Sequence, residues 1–197
     1  MQSEDLGGLV DPRFRLSIGL AGAPALTRDK LAQAPRRTVL GASLTVMPPW
    51  GQYDPERLVN LGYNRWAFKP EIGISQPAGR FTLEGAAGVW LFTTNHSYSP
   101  DRRERRQDPV VALQGHATYT FPGRAWIALD GTWFSGGQTD VDGVVSSDRQ
   151  SNVRLGGTLS LPITQHQSLN LVYSTGTSTR RGSDFDTFSV TWQRVRF

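Results

Sequence analysis

The feature that most constrains this chain is a period-two alternation of apolar and polar residues, repeated along almost its whole length. Phe14, Leu16, Ile18 and Leu20 alternate with Arg15, Ser17, Gly19 and Ala21. Leu40–Val46, Trp66–Ile74, Val111–Tyr119, Ile127–Trp133, Val153–Ile163 and Leu169–Tyr173 follow the same rule. An element that is apolar at every second position has one greasy face and one wet face, which describes a β-strand and not a helix. With Phe81–Thr94 and Phe185–Phe197 the reading gives nine strands.

The segments are long. Globular strands usually carry ~5–6 residues, whereas a strand tilted across a bilayer needs ~9–11. Connections alternate in length as well. Pro77–Arg80, Pro122–Arg124 and Gln165–Gln167 are tight, while Pro48–Asn64, Asn95–Asp108 and Gln138–Ser151 are long and polar. Short turns at one end and long loops at the other are expected of an outer-membrane barrel. Trp66, Tyr119, Phe121, Trp126, Trp133 and Phe134 near strand ends fit its interfacial girdles. The expected fold is therefore all-β, an antiparallel up-and-down transmembrane barrel forming a single domain over residues 1–197. Residues 27–34 read as a short helix where a tight turn is expected.

Composition agrees with this reading. The 38% hydrophobic content suits a barrel, since only every second strand residue meets lipid. There is no cysteine, which excludes disulfides and thiolate metal sites. No apolar run approaches the ~18 residues of a membrane helix, and frequent Gly and Pro exclude a coiled coil. Net charge is +4, and Lys30 and Lys69 are the only lysines beside many arginines. The densest basic run, 101–106, contains no stacking aromatic and gives no nucleic-acid signature. It reads as a solvated loop, with phosphate-rich lipid headgroups as the alternative contact.

Bacterial single-chain barrels have an even strand number with both ends periplasmic. Nine strands ending in the periplasm start on the wrong side. The first residues also show neither a cationic n-region nor an apolar h-region. The expectation is an N-terminally truncated barrel that lacks its signal peptide and first strands. Phe197 is read as the terminal aromatic assembly signal, with a bulge near Gln193 bringing Phe188, Val190 and Trp192 into phase with it.

Several stretches carry a family resemblance: Asp11-Pro12-Arg13-Phe14-Arg15, Gly51-Gln52-Tyr53-Asp54, and Asn60-Leu61-Gly62 running on through Asn64-Arg65-Trp66 to Glu71. Gln107-Asp108-Pro109, Thr139 to Gly143 and Ser183 to Thr187 extend it. Together they resemble the outer-membrane transporter family named for the meta-pathway of phenol degradation. The resemblance implies a twelve-stranded barrel, of which this chain supplies the last nine strands. It also implies localisation in the bacterial outer membrane and uptake of small, aromatic or hydrophobic compounds.

If the apolar sets face lipid, the alternate residues face the lumen. This places Arg13, Arg15, Lys69, Glu71, Glu84, Gln114, His116, Asp130, Arg154 and Asn170 inside. Such a set either lines a permeation path or forms a paired network that fills the barrel. The mixture of signs predicts salt bridges across strands. No catalytic constellation is read: His96, His116 and His166 form no metal-spaced pair, and no nucleophile elbow occurs. Asp140-Val141-Asp142-Gly143 lacks the later ligands of a calcium loop and reads as a turn. Gly85, Gly88, Gly156 and Gly157 are read as bends or as room in the lumen. No cofactor or metal is expected. The expected partners are outer-membrane lipid and lipopolysaccharide, the barrel-assembly machinery and a small-molecule solute. A non-transporting structural or surface-interaction barrel is the alternative function.

Overall fold

The computed structural model describes residues 7–24, 26–27, 30, 34–57, 59–180 and 185–195. Nine long strands form one antiparallel sheet. They are β1 (Phe14–Ala21), β2 (Val39–Met47), β3 (Ala67–Ala78), β4 (Phe81–Phe92), β7 (Val110–Thr120), β8 (Trp126–Gly136), β11 (Gln150–Pro162), β12 (Gln167–Thr179) and β13 (Thr187–Arg194). Each pairs with its neighbour in chain order, in the up-and-down manner. All nine expected segments are present. The two outermost, β1 and β13, have 8 residues each and are shorter than expected. Most of the segment 27–34, read as a short helix, lies outside the described residues, as do Phe197, Ser183 and Asp184.

Four further strands were not expected. β5 (Asn95–Tyr98) and β6 (Arg103–Gln107) arise from the connection after β4, and β9 (Thr139–Val141) and β10 (Val144–Val145) from the connection after β8. They join as a second sheet in the order β10-β9-β6-β5. Two of the long connections are thus a folded cap. The basic run 101–106 falls largely in β6, where Arg103 pairs with Asp101 at 3.0 Å and Arg106 with Glu104 at 3.0 Å. Two of its four arginines are thus paired within the run. Asp142 and Gly143 form the two-residue link between β9 and β10, both with positive φ (51° and 82°). That is the type I′ geometry Asp-Gly favours, so the segment is a turn.

Residues that pair across an antiparallel ladder share a face. Followed strand by strand, the register keeps the apolar set on one side. Leu16 pairs with Leu44, Ile72 with Ala87, Leu113 with Trp133, Leu159 with Leu171, and Leu171 with Val190. This side is the exposed one: Leu16, Leu129 and Phe188 keep about 70% of their surface accessible. The opposite side is the covered one, where Lys69, Thr45, Ala112, Ala128 and Ser160 are buried. A protein folded for water has the reverse arrangement. A broad apolar face of this kind is satisfied by hydrocarbon. Among the described residues no helix is long and apolar enough to cross a membrane.

The strand phases also correct two assignments. Trp126 pairs with Thr120 and Ser160, and Phe134 with Ala112 and Asn152, so both lie on the inner face and not in a lipid girdle. The reason is the period itself: Trp133 faces out, so its neighbour must face in. The expected bulge at Gln193 does not occur either. β12 and β13 pair without a shift from Ser174↔Thr187 to Gln167↔Arg194. A bulge lies instead in the β11–β12 ladder, between Val153 and Arg154.

Candidate functional site

Arg15, Lys69, Glu71, Glu84, Gln114, His116, Asp130, Arg154 and Asn170 all fall on the inner face, as the alternation predicts. Glu84 is settled by its register partners: Ser75, Glu84, His116, Asp130, Gly156, Ser174 and Thr187 form one continuous row. Arg13 precedes β1 and reaches the same side, its guanidinium 5.6 Å from the Trp90 ring centroid.

The ion pairs are specific. Glu71 accepts from Lys69 Nζ at 2.5 Å and from Arg15 Nη2 at 2.8 Å. The Arg15 contact skips over β2, so it ties three strands together. Gly88 makes room for this triad, because a Cβ there would stand 2.9 Å from Lys69 Cε. His116 Nδ1 lies 2.5 Å from Asp130 Oδ1 across the β7–β8 ladder. Arg154 donates to Ser174 Oγ at 3.2 Å and to the Phe185 carbonyl at 3.1 Å, with its guanidinium 4.2 Å from the Phe185 ring centroid. Asn170 reaches Gln193 Oε1 at 3.5 Å. The predicted cross-strand bridging holds for Arg15 and Glu71; Lys69 meets Glu71 within β3, Asp130 meets His116, Arg154 is held by neutral partners, and among the described residues Arg13 and Glu84 form no salt bridge.

Two cavities lie along this face. One, of about 330 Å³, is bordered by Arg15, Glu71, Glu84, Gln114 and His116. The larger, of about 500 Å³, sits at the long-loop end between the strands and the cap. Its wall includes Met47, Ala67, Trp90, Val110, Phe134 and Gln150, which come from six successive strands. Laid flat, six strands would span roughly 24 Å, well over the width of such a cavity, so the sheet must curl around it.

The larger cavity is built by residues that alternation cannot flag. Asp11 is buried and accepts from Gly51 N and Tyr63 N, each at 2.7 Å. It pins the connection between β2 and β3 to the start of β1. Gly51 and Gly62 approach so closely there that a Cβ on Gly62 would meet the Gly51 backbone at 2.9 Å. Asn95 is buried and fully bonded. It accepts from Asn64 Nδ2 and Ser97 N, and donates to Tyr53 Oη and the Tyr63 carbonyl. These contacts set Arg65, the residue the sequence reading left out of the site. Its guanidinium lies 4.4 Å from the Phe92 ring centroid, and Nη2 donates to Gln107 Oε1. Burial and the neighbouring charge of Arg105 lower the Arg65 pKa to about 10, so it stays cationic at neutral pH. The available signal was in β4, whose inner phase turns aromatic at Trp90 and Phe92 just where the long loop begins.

A curled up-and-down sheet, apolar outside and polar within, with tight turns at one end and a folded cap at the other, defines an outer-membrane β-barrel protein. Its apolar belt places it in the bacterial outer membrane. The chain belongs to the family described as "Putative MetA-pathway of phenol degradation", whose model matches residues 3–192. The fold is similar to the crystal structure of an outer membrane channel from Pseudomonas putida F1. The TM-score is 0.75 at 18% identity, over 94% of this chain and 65% of that one. The present chain thus spans about two thirds of that channel's length. No curated protein sequence matches it.

Proposed function

We propose that the protein is an outer-membrane channel that admits small aromatic or hydrophobic compounds. The observation that carries this reading is that the polar face is not filled. Cavities of about 330 and 500 Å³ lie along it, bordered by both polar and aromatic side chains. The similar fold of a known outer membrane channel supports the same reading, and the aromatic preference rests on the family's description. Lipopolysaccharide and lipid would contact the apolar belt, and the assembly machinery would engage the C-terminal strand. No reaction is assigned to the protein.

A second reading, a structural barrel that passes nothing, is favoured by the Arg15–Glu71–Lys69 and His116–Asp130 contacts, which tie inner-face side chains to one another. Planar-bilayer recording separates the two. A channel gives stepwise conductance. Protein that is folded, as judged by heat-modifiable electrophoretic mobility, and yet shows no conductance overturns the channel reading. Uptake of phenol into protein-containing liposomes no faster than into empty ones overturns the solute class.

A further inference from the structure

The cavity under the cap brings cations and rings together: Arg13 lies 5.6 Å from the Trp90 ring centroid, Arg65 4.4 Å from that of Phe92 and Arg105 5.0 Å from that of Tyr98. Arg13, Arg65 and Arg105 all border it, against the single carboxylate of Asp11. Asp11 accepts from two backbone N–H groups and, among the described residues, forms no salt bridge with these arginines. Among the described residues none of the three arginines takes part in a salt bridge, although other cations of the chain, such as Arg15, Lys69, Arg103 and Arg106, do. Arg65 Nη1 is buried without a hydrogen-bond partner, while its Nη2 is held by Gln107. Gln107 is fixed in turn by donating to the Gly137 carbonyl at 3.0 Å. Nη2 is therefore anchored, and Nη1, enclosed by protein, has no acceptor of its own. A buried donor of this kind is destabilising unless something accepts from it.

The rest of the wall is aromatic. Trp90 and Phe92 stack nearly parallel, 8° apart, on the inner phase of β4. Phe134 and Tyr63 complete the apolar side. A volume of about 500 Å³ falls in the range of small-molecule sites, which are mostly apolar with a few placed polar groups. Guanidinium groups recognise planar oxyanions through paired N–H donors, and ring walls recognise a flat apolar body.

We propose that this cavity is a binding site for an aromatic carboxylate, with the carboxylate on Arg65, flanked by Arg13 and Arg105, and the ring against Trp90 and Phe92. The site deepens the channel reading and rests on it for its purpose: a solute captured as an anion at the loop end before it passes inward.

Isothermal titration of the full chain in detergent micelles tests the site, with benzoate, phenol and acetate as probes. Benzoate is expected to bind at least about tenfold tighter than phenol, which lacks the anion, and than acetate, which lacks the ring. Arg65→Gln is expected to lose about tenfold in benzoate affinity, with phenol unchanged. Arg105→Gln, on the exposed cap, gives the same trend with less risk to folding. Heat-modifiable mobility verifies that each variant is folded. Benzoate binding no tighter than phenol, or equal in the wild type and both arginine variants, overturns the proposal. Conductance measured in parallel keeps the two readings apart. A conducting protein that ignores benzoate sinks the site and leaves the channel. Benzoate binding without conductance sinks the channel and leaves the site.

Discussion

The end of the Lys69 side chain passes beside Gly88, the partner of Glu71 on the neighbouring strand, so that a Cβ at Gly88 would stand 2.9 Å from Lys69 Cε. The same Cβ would also meet the Pro70 carbonyl at 3.0 Å and Glu71 Cβ at 3.2 Å. The glycine therefore sets the path by which Lys69 reaches Glu71. Lys69 Cε can yield, but the backbone oxygen cannot. Gly88→Ala is expected to cost about 1 kcal/mol and Gly88→Val about 2–3, the range of overpacked sites. Urea unfolding followed by heat-modifiable mobility measures both. A valine variant as stable as wild type would refute the packing account.

Glu71 is the shared acceptor of two cations, and Lys69 beside it is buried. Glu71→Gln leaves both charges without a partner. Removing one member of a buried pair costs about 3–5 kcal/mol, and exposure of Arg15 brings this toward the lower end. The inner face also becomes more positive. If the barrel conducts, the reversal potential in a salt gradient shifts toward anion preference, and an unchanged potential would show that Glu71 does not border the path.

Asp11→Ala removes the acceptor of two backbone N–H groups, at Gly51 and Tyr63. Each orphaned donor costs about 1–3 kcal/mol, and the effect should be local to the loop that Asp11 holds. Limited proteolysis is expected to cut between residues 48 and 64 faster in the variant, with cleavage elsewhere unchanged.

Gly136 and Gly143 both have positive φ but differ in their surroundings. At Gly136 a Cβ would stand 2.1 Å from the Pro109 carbonyl oxygen, whereas at Gly143 it meets nothing within 4 Å. Gly143→Ala is expected to cost only the backbone strain, about 1 kcal/mol. Gly136→Ala adds a clash with fixed backbone and should cost at least twice as much. Thermal loss of heat-modifiable mobility ranks the two.

Asp148 gives the cap a pH dependence. Partial burial works to raise its pKa, but hydrogen bonds from the Thr139 hydroxyl at 2.6 Å and amide at 2.9 Å, with the Arg105 charge, hold it below the usual carboxylate range. A carboxyl with a depressed folded pKa stabilises the fold above its unfolded value and loses that contribution as the pH falls through the folded one. Hydrogen exchange at 139–145, corrected for intrinsic rates, should therefore rise on acidification below about pH 4. Thr139→Val should shrink that rise.

Strand positions and inner-face residues were legible because alternation is a local signal and one greasy face fixes register: Leu129, Leu155 and Val190 could not have faced the other way. The cap was not legible. β5, β6, β9 and β10 are 2–5 residues long, too short to show a period, and β5 and β6 are polar or charged on nearly every position while β10 is apolar on both phases. Asp142 helps join β6 to the β9–β10 turn, its carboxylate accepting from Glu104 N across 38 residues. Phe134 and Trp126 were misplaced because an aromatic at a strand end looks the same whether lipid or cavity receives it. Arg65 lies outside any alternating run, in a loop whose shape is set by the side chains of Asp11 and Asn95.

The pairing of β6 with β9 has a consequence for anything that approaches the protein from the loop end. Residues 95–107 and 139–145 form one plate, so the surface on offer is a discontinuous epitope. A reagent raised against a synthetic peptide of either segment alone would be selected on a shape that exists only when the other strand completes it.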